Sequence, residues 1–515
     1  MKRKAIIIPV LILALFFKPS YSQENEVLSL SLEDCIIKAL KDNLRIAVEV
    51  YNPELADVSL TKAKELFMPR FNLGFGSQRS KNPSSWGIEM TDVVITKYMD
   101  YSASLVQQIP TGGNLSLSLS SFKSDTNQGF QTINPLYRST LRFDFTQPLL
   151  KGFGFKVGRK EIIIAQNNLD ISNNQLKQVL IDTIYLVQEA YWNLVYSIEN
   201  LKVKQQSLQL ARDLLAKNKK EVEFGKIAPI EILNAEAVVA SREADILQAE
   251  ALIRRGEDVL KNLINLSREE EMGPIKIVPL DKPSFVKEEI SLDDALREAL
   301  EKRPDLNMKK KEIETKGFNL GLAKNQMLPG LDLQLSYWSP GVSGDKILYL
   351  DDNPFLGVIV GKEKGSATDS LRDALKLLYN NWQVALTLSI PLSNFTTRAD
   401  YARARMELEK SQLEIKNLER QVLLEVKDAV RDVETNFKRV EAYRVARELA
   451  ERRLEAEVKK LNVGLTTDYF VLEFQEASSD AMSMELKALV DYNLALARLE
   501  KVLGRSLEQR NIKIN

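Results

Sequence analysis

Residues 157–224 read VGRKEIIIAQNNLDISNNQLKQVLIDTIYLVQEAYWNLVYSIENLKVKQQSLQLARDLLAKNKKEVEF, with no proline and, after Gly158, no glycine. Leu176, Leu180, Ile184, Val187, Tyr191, Leu194, Ile198 and Leu201 recur every three or four positions, the spacing of one face of an α-helix. At a rise of about 1.5 Å per residue such a helix spans about 100 Å, longer than any ordinary globular core. Taken alone, the tract fits a rod-like coiled coil.

The tract has a counterpart downstream, because the chain is written twice. At an offset of 260, Ser31-Leu32-Glu33-Asp34 matches Ser291-Leu292-Asp293-Asp294, and Ala39-Leu40, Ala63-Lys64, Pro69 and Leu73 match Ala299-Leu300, Ala323-Lys324, Pro329 and Leu333. The offset shortens to 243 at Gln147-Pro148 against Ile390-Pro391, and to 239 at Phe224-Gly225 against Val463-Gly464, so copy one carries the longer strand region. Val422, Val426, Ala429, Val433, Phe437 and Val440 repeat the helical stripe. Each copy opens on a serine N-cap, Ser31 or Ser291, followed by acids that complement the helix dipole. Pro274, Pro279 and Pro283 punctuate the join between copies.

Between the helical parts lie alternating segments. Phe71, Leu73 and Phe75 alternate with Asn72 and Gly74, Leu115, Leu117 and Leu119 with serines, and Leu141, Phe143 and Phe145 with Arg142, Asp144 and Thr146. Copy two offers Leu331, Leu333 and Leu335, then Val384, Leu386 and Leu388. Such alternation marks transmembrane barrel strands, although a half-buried strand of a soluble sheet alternates identically. Tyr101, Phe153, Phe155, Tyr337, Trp338 and Trp382 near the strand ends are candidates for interfacial girdles.

The first residues favour the membrane. Lys2, Arg3 and Lys4, an apolar run from Ala5 to Phe17 and small residues at Ser20 and Ser22 have the layout of a secretory leader, with the mature chain starting near Gln23. No later stretch is long and apolar enough for a spanning helix, so a membrane form of this chain must be a closed barrel. Basic and acidic residues number 71 each, and loss of Lys2, Arg3, Lys4 and Lys18 leaves a net charge of −4. No nucleic-acid partner is indicated. Histidine is absent, which removes the commonest general base and metal ligand. The sequence shows no nucleophile elbow, phosphate loop or clustered metal-ligand spacing, so neither an enzyme nor a cofactor is expected. The single cysteine, Cys35, permits no internal disulfide and reads as a small core residue.

Leu461-Asn462-Val463-Gly464-Leu465, the returning segment from Leu494 to Gly504, and the partner stretch Phe224-Gly225-Lys226-Ile227-Ala228-Pro229-Ile230-Glu231 carry a resemblance to the TolC family of outer-membrane efflux proteins. The two opening motifs fit it as well, and it covers essentially the whole mature chain. It implies a mainly α fold with a β-barrel portion and two internal repeats: a homotrimer with a long α-helical barrel, a mixed intermediate domain and a transmembrane antiparallel β-barrel of twelve strands, four per protomer. It also implies an outer-membrane location with a large periplasmic part, and an exit duct serving a tripartite efflux or type I secretion system. The implied partners are a periplasmic adaptor (membrane fusion) protein, an inner-membrane pump and outer-membrane lipid. On position, Glu231 matches the family's clamp acid and Glu473 one acid of its periplasmic gate ring. Phe470 stands at the second ring acid and Thr466 at the clamp arginine, so a hydrophobic constriction at Phe470 replaces part of the ionic latch. Gly225, Lys226, Gly464 and Leu465 are the expected adaptor-docking turns.

The expected division is a leader over 1–22, a first repeat over 23–272 (helices 32–67, strands within 71–147, helical hairpin 157–266), a linker over 273–290, a second repeat over 291–504 (helices 292–327, strands within 331–390, hairpin 397–503) and a tail over 505–515. Copy one departs from the simplest pattern with surplus strand-like residues between Tyr101 and Ser124, around Pro110-Thr111-Gly112-Gly113. Six strands per chain therefore stay open, and the added hairpin is expected to extend the outer rim. The rival readings are a periplasmic coiled-coil adaptor without a pore and an envelope hydrolase. An adaptor would show one helical hairpin, and a hydrolase would respond to a panel of substrates.

Overall fold

Ser31 opens the first helix, Leu32–Asp42, as its N-cap: its hydroxyl accepts from the Asp34 N–H at 3.1 Å while the Asp34 carboxylate accepts from the Ser31 N–H at 3.1 Å. This reciprocal box satisfies two helix-end donors. The computed structural model describes residues 27–85, 87–266 and 275–512. The expected leader over 1–22, the start of the linker at Gly273 and Pro274, and the last three residues lie outside the described residues. The chain divides into two compact units, one gathering the described parts of 1–47, 179–299 and 425–515, the other 48–178 and 300–424.

In the first unit the linker pairs with the start of the chain. Strand β1 (Val27–Leu30) runs parallel to a segment at Lys276–Pro279. Buried Tyr191 pins the following turn, donating from its hydroxyl to Asp281 Oδ2 at 2.9 Å and accepting from the Asp281 N–H at 3.1 Å. Cys35 is fully buried, and burial is the main cause that pushes its thiol up to about 12, which makes it an inert core residue.

Two helices far exceed the rest. Lys160–Glu223 has 64 residues and Phe395–Asn462 has 68, so they extend about 96 and about 102 Å. Their stripes are the expected ones: Leu176, Leu180, Ile184, Val187, Tyr191 and Leu194 are buried in one, Val422, Val426, Ala429, Val433 and Val440 in the other. Return helices occupy Ile230–Leu263 and Asp468–Leu503. No helix among the described residues is long and apolar enough to cross a membrane.

The second unit holds the large sheet. Copy one contributes β2 (Arg70–Pro83), β3 (Val93–Gln108), β4 (Asn114–Thr126) and β5 (Ile133–Pro148). After β6, the Lys276–Pro279 segment above, copy two contributes β7 (Gly330–Tyr349), β8 (Ile359–Glu363) and β9 (Asn381–Ser389). All pairings are antiparallel, in the order β2-β3-β4-β5-β7-β9, with β8 beside the far end of β7.

The alternation sorts cleanly into two faces. Phe71, Leu105, Leu117, Phe143, Tyr337 and Trp382 lie opposite one another along one row of the ladders, and the neighbouring row holds Asn72, Ser104, Ser118, Arg142, Trp338 and Asn381. The first face is apolar and open over much of its width, with Leu73 75% and Leu386 63% exposed, while the short helix Ala367–Leu375 covers it at Ser139 and Gly341. The second is polar and internally paired. Arg142 Nε meets Asp144 Oδ2 at 2.8 Å, and Ser336 Oγ donates to Asp144 Oδ1 at 2.6 Å.

Two expectations need correction. The surplus hairpin β3–β4 does not extend the outer rim: it lies within the sheet, paired with β2 from Val93 to Val106 and with β5 from Asn114 to Ser124. Its turn points toward the start of the long helix, where the Gly154 N–H donates to Thr111 O at 3.0 Å and Thr111 Oγ1 meets Gln147 Oε1 at 2.6 Å. Gly158 permits that approach, since a Cβ there would stand 2.1 Å from Pro110 O. Trp338 is not a girdle residue either. One position beyond Tyr337, it falls on the polar face, with the Arg142 guanidinium 5.4 Å from its ring centre. Tyr101 pairs with Phe75 on the apolar face, ring centres 5.2 Å apart.

If the open apolar face is the lipid face, charge must be costly there and tolerated opposite. Leu117→Arg is expected to destabilise the folded membrane form by about 2–4 kcal/mol, and Ser118→Arg by at most about 1 kcal/mol. Folded and unfolded fractions resolved by electrophoresis without heating, along a urea series, check the difference.

Candidate functional site

Both helical hairpins reverse through the same turn. The Gly225 N–H donates to Val222 O at 2.9 Å and the Lys226 N–H to Glu221 O at 2.8 Å; the Gly464 N–H donates to Leu461 O at 3.1 Å and the Leu465 N–H to Lys460 O at 2.9 Å. This pair of bonds closes a helix end when the residue between has positive φ, and Gly225 and Gly464 supply it at 66° and 77°. A Cβ at either position would meet nothing within 4 Å, so the glycines answer a backbone demand, not a crowded one. Apolar side chains ring the turns in the open: Phe224 is 77% and Leu465 76% exposed.

Behind the turns the four long helices share a core. Leu214, Val471 and Leu472 are buried, with Val238, Leu454 and Leu461 packed on them. This fixes which face of the Asp468–Leu503 helix turns inward, and places Phe470 and Glu473, one turn apart, on the opposite exposed face. The rings of Tyr469 and Phe470 meet edge to face, centres 5.5 Å apart. The structure groups Phe470 with Glu473 but sets Glu231 apart, on the first turn of the other return helix, where its carboxylate accepts from Asn234 Nδ2 at 3.4 Å. Thr466, at the clamp position, donates to Glu457 Oε1 at 2.6 Å, and Lys460 Nζ stands 3.0 Å from Glu457 Oε2, so an acid two turns back caps this tip.

Two further residues were invisible in the sequence. Asp468, at the start of the Asp468–Leu503 helix, reads as an ordinary dipole-complementing acid, but it is buried. Burial pushes its carboxyl above the usual carboxylate range; Lys217 opposes the shift, and Glu221 and Glu231 add to it. Arg242 sits in a highly charged helix and reads as solvent-facing, yet it too is buried. Its Nη1 donates to Ser207 O at 2.6 Å and Gln475 Oε1 at 3.1 Å, and its Nη2 to Leu472 O at 3.4 Å. One guanidinium thereby ties the Asp468–Leu503 helix to both helices of the first hairpin, despite a pKa that burial lowers. Only the three-helix packing reveals it.

The profile of the family described as outer membrane efflux protein matches residues 114–266 and 295–505. The chain belongs to the outer membrane efflux protein family. It is thus an efflux protein of the outer membrane with a large periplasmic helical part, and the adaptor alternative gains no support. Among curated relatives, the alkaline protease secretion protein AprF of Pseudomonas aeruginosa is 21% identical over 375 residues, which cover 72% of this chain and 69% of AprF. Solved structures share the fold. The Campylobacter jejuni CmeC outer membrane channel has a TM-score of 0.64 at 16% identity, covering 93% of this chain and 88% of CmeC. The open state of the Neisseria gonorrhoeae MtrE outer membrane channel has a TM-score of 0.60 at 18% identity, covering 92% and 89%. The relatives so named are channels and a secretion protein, not enzymes.

For this efflux protein the two buried residues, Arg242 and Asp468, give two tests. Arg242→Ala leaves Gln475 and two carbonyls without their charged donor, a loss of about 2–3 kcal/mol, so amide exchange over 468–480 should accelerate about thirty-fold or more. Asp468 has a raised folded pKa, so the folded state holds its proton where the unfolded chain has lost it. Stability at the tip must therefore fall as pH rises from the ordinary carboxylate range through the raised value, and be regained on acidification. Asp468→Asn should slow exchange at neutral pH and flatten that dependence over the same residues.

Proposed function

We propose that three copies of the chain form a passive exit duct that carries substrates from the periplasm, or directly from an inner-membrane pump, to the cell exterior. One observation carries the reading: the sheet presents an open apolar face while β2 and β9 each leave one edge unpaired among the described strands. In lipid such edges must be closed, and a second copy of the same sheet supplies the complementary edge. The polar face then lines a water-filled passage. No reaction is catalysed and no cofactor is required on this reading. AprF is a secretion protein and CmeC and MtrE are channels, which supports placing this chain as the outer component of a tripartite efflux or type I secretion assembly.

Two surfaces complete the proposal. Gly225, Lys226, Gly464 and Leu465 form the docking tips for a periplasmic adaptor, because the exposed apolar residues around the turns offer area to a helical partner. Phe470 and Glu473 form the idle gate. Repeated by three copies, they give stacked rings of phenyl groups and carboxylates, and a narrow apolar ring expels water and so blocks ions. Glu231 supports the gate from the neighbouring hairpin through the field it shares with Asp468.

In planar bilayers, the double substitution Phe470→Ala with Glu473→Ala should raise single-channel conductance by more than about twofold if this ring is the main resistance. Unchanged conductance would remove the gate assignment and leave the duct standing.

A further inference from the structure

The apolar band crosses the ladders at a slant, and the slant reports the tilt of the strands. The row through Leu73 on β2 passes Ala103, Leu119 and Leu141 and arrives at Ser339 on β7. The band itself does not follow that row. Its midpoint stays at Ala103 on β3, moves to Leu117 on β4, and on β7 lies between Leu333 and Leu335, four to six residues from Ser339 after four strand steps. The drift is a little over one residue, roughly 4.3 Å, for each strand spacing of about 4.8 Å. A level lipid layer crosses such a sheet only if its strands lean by about 40°, inside the ~35–45° range of closed membrane barrels.

The two surplus strands share in this pattern. Leu105 and Leu117 hold their places in the band, and the residues between them and their neighbours, Ser104 and Ser118, keep to the polar face. A hairpin standing clear of the membrane would have no reason to carry the same band in the same stagger. Each copy, moreover, brings an even number of long strands, so that β9 runs opposite to β2 and a β9-to-β2 seam between copies is antiparallel like every other pairing. The seam edge of β9 is clear, since β8 pairs with β7 only over Lys346–Tyr349, beyond the stretch that β9 occupies. Apolar residues face the same way on both sides of the seam, Leu73 on β2 and Val384 on β9.

We infer that all six long strands of each copy stand in the barrel wall, and that β9 of one copy hydrogen-bonds to β2 of the next, closing an eighteen-stranded barrel in the trimer. The partner is a second copy of this chain, and the number eighteen rests on the trimeric duct proposed above. At about 40° of tilt the barrel has a backbone diameter of about 36 Å, against about 24 Å for the twelve strands implied by resemblance. The insertion in copy one thereby widens the outer-membrane passage.

Electron cryomicroscopy of the detergent-extracted full-length protein decides it by counting strands. The expected result is eighteen, with residues 93–126 in the wall. A closed barrel of twelve, with 93–126 outside it, overturns the inference and leaves the duct intact; absence of any closed trimeric barrel overturns both. In a Cys35→Ser background, Val384→Cys combined in turn with Phe71→Cys, Leu73→Cys or Phe75→Cys should give a covalent ladder of up to three chains on denaturing gels under oxidation for at least one pair. No intermolecular link from any of the three pairs counts against the seam.

Discussion

Backbone N–H and C=O groups at the two ends of the sheet govern the rest of this molecule. Within one chain β2 and β9 each have a neighbour on one side only, and a bilayer offers no water to satisfy the other. A soluble sheet hides such an edge under a helix or breaks it with charge or proline. Neither device protects the Phe71–Phe75 stretch, and the exposed band continues to the last residues of β9. The same sheet is apolar on one face, and on the other carries the Arg142–Asp144 ion pair with Ser336 bonded to it. In the duct proposed above, association into a ring meets the backbone demand and the apolar demand together, and converts the polar face into a passage.

Duplication gives one chain two strand regions and two long helical hairpins. The two copies keep the capped opening helix, the long helix and the glycine turn, down to matching hydrogen bonds at Gly225 and Gly464. They diverge where function asks for difference. Copy one gains the β3–β4 hairpin; copy two gains β8 and the short helix Ala367–Leu375, whose Ser370 hydroxyl meets Ser139 Oγ at 3.0 Å. At the tips, copy two carries Phe470 and Glu473 on an exposed face, while copy one contributes Arg242, the buried cation that holds that helix in place.

Most of the architecture was legible in the residues because it rests on periodicity. A spacing of three to four over Leu176 to Leu201 specifies a helix, and alternation over Leu141 to Phe145 specifies a two-faced strand, regardless of what lies nearby. Positive φ at Gly225 and Gly464 was legible for the same local reason. Pairing partners were not. Whether β3 and β4 join the sheet or leave it depends on contacts with β2 and β5, and alternation alone is silent on that choice. Trp338 has the chemistry of a girdle residue, while its register places it on the polar face opposite Arg142. Asp468 and Arg242 illustrate the limit for single charged residues: burial belongs to the packing of several helices, and no local pattern announces it.

The claim that most depends on the account is that one face of β4 meets lipid while the other meets water. Spin labels placed one at a time at residues 115–119, in a chain whose single cysteine has been replaced, report this directly through their accessibility to oxygen and to a water-soluble nickel chelate in reconstituted bilayers. The account predicts strict alternation, with oxygen favoured at 115, 117 and 119 and the chelate at 116 and 118. Chelate access at all five positions would place β4 outside the membrane wall and contradict it.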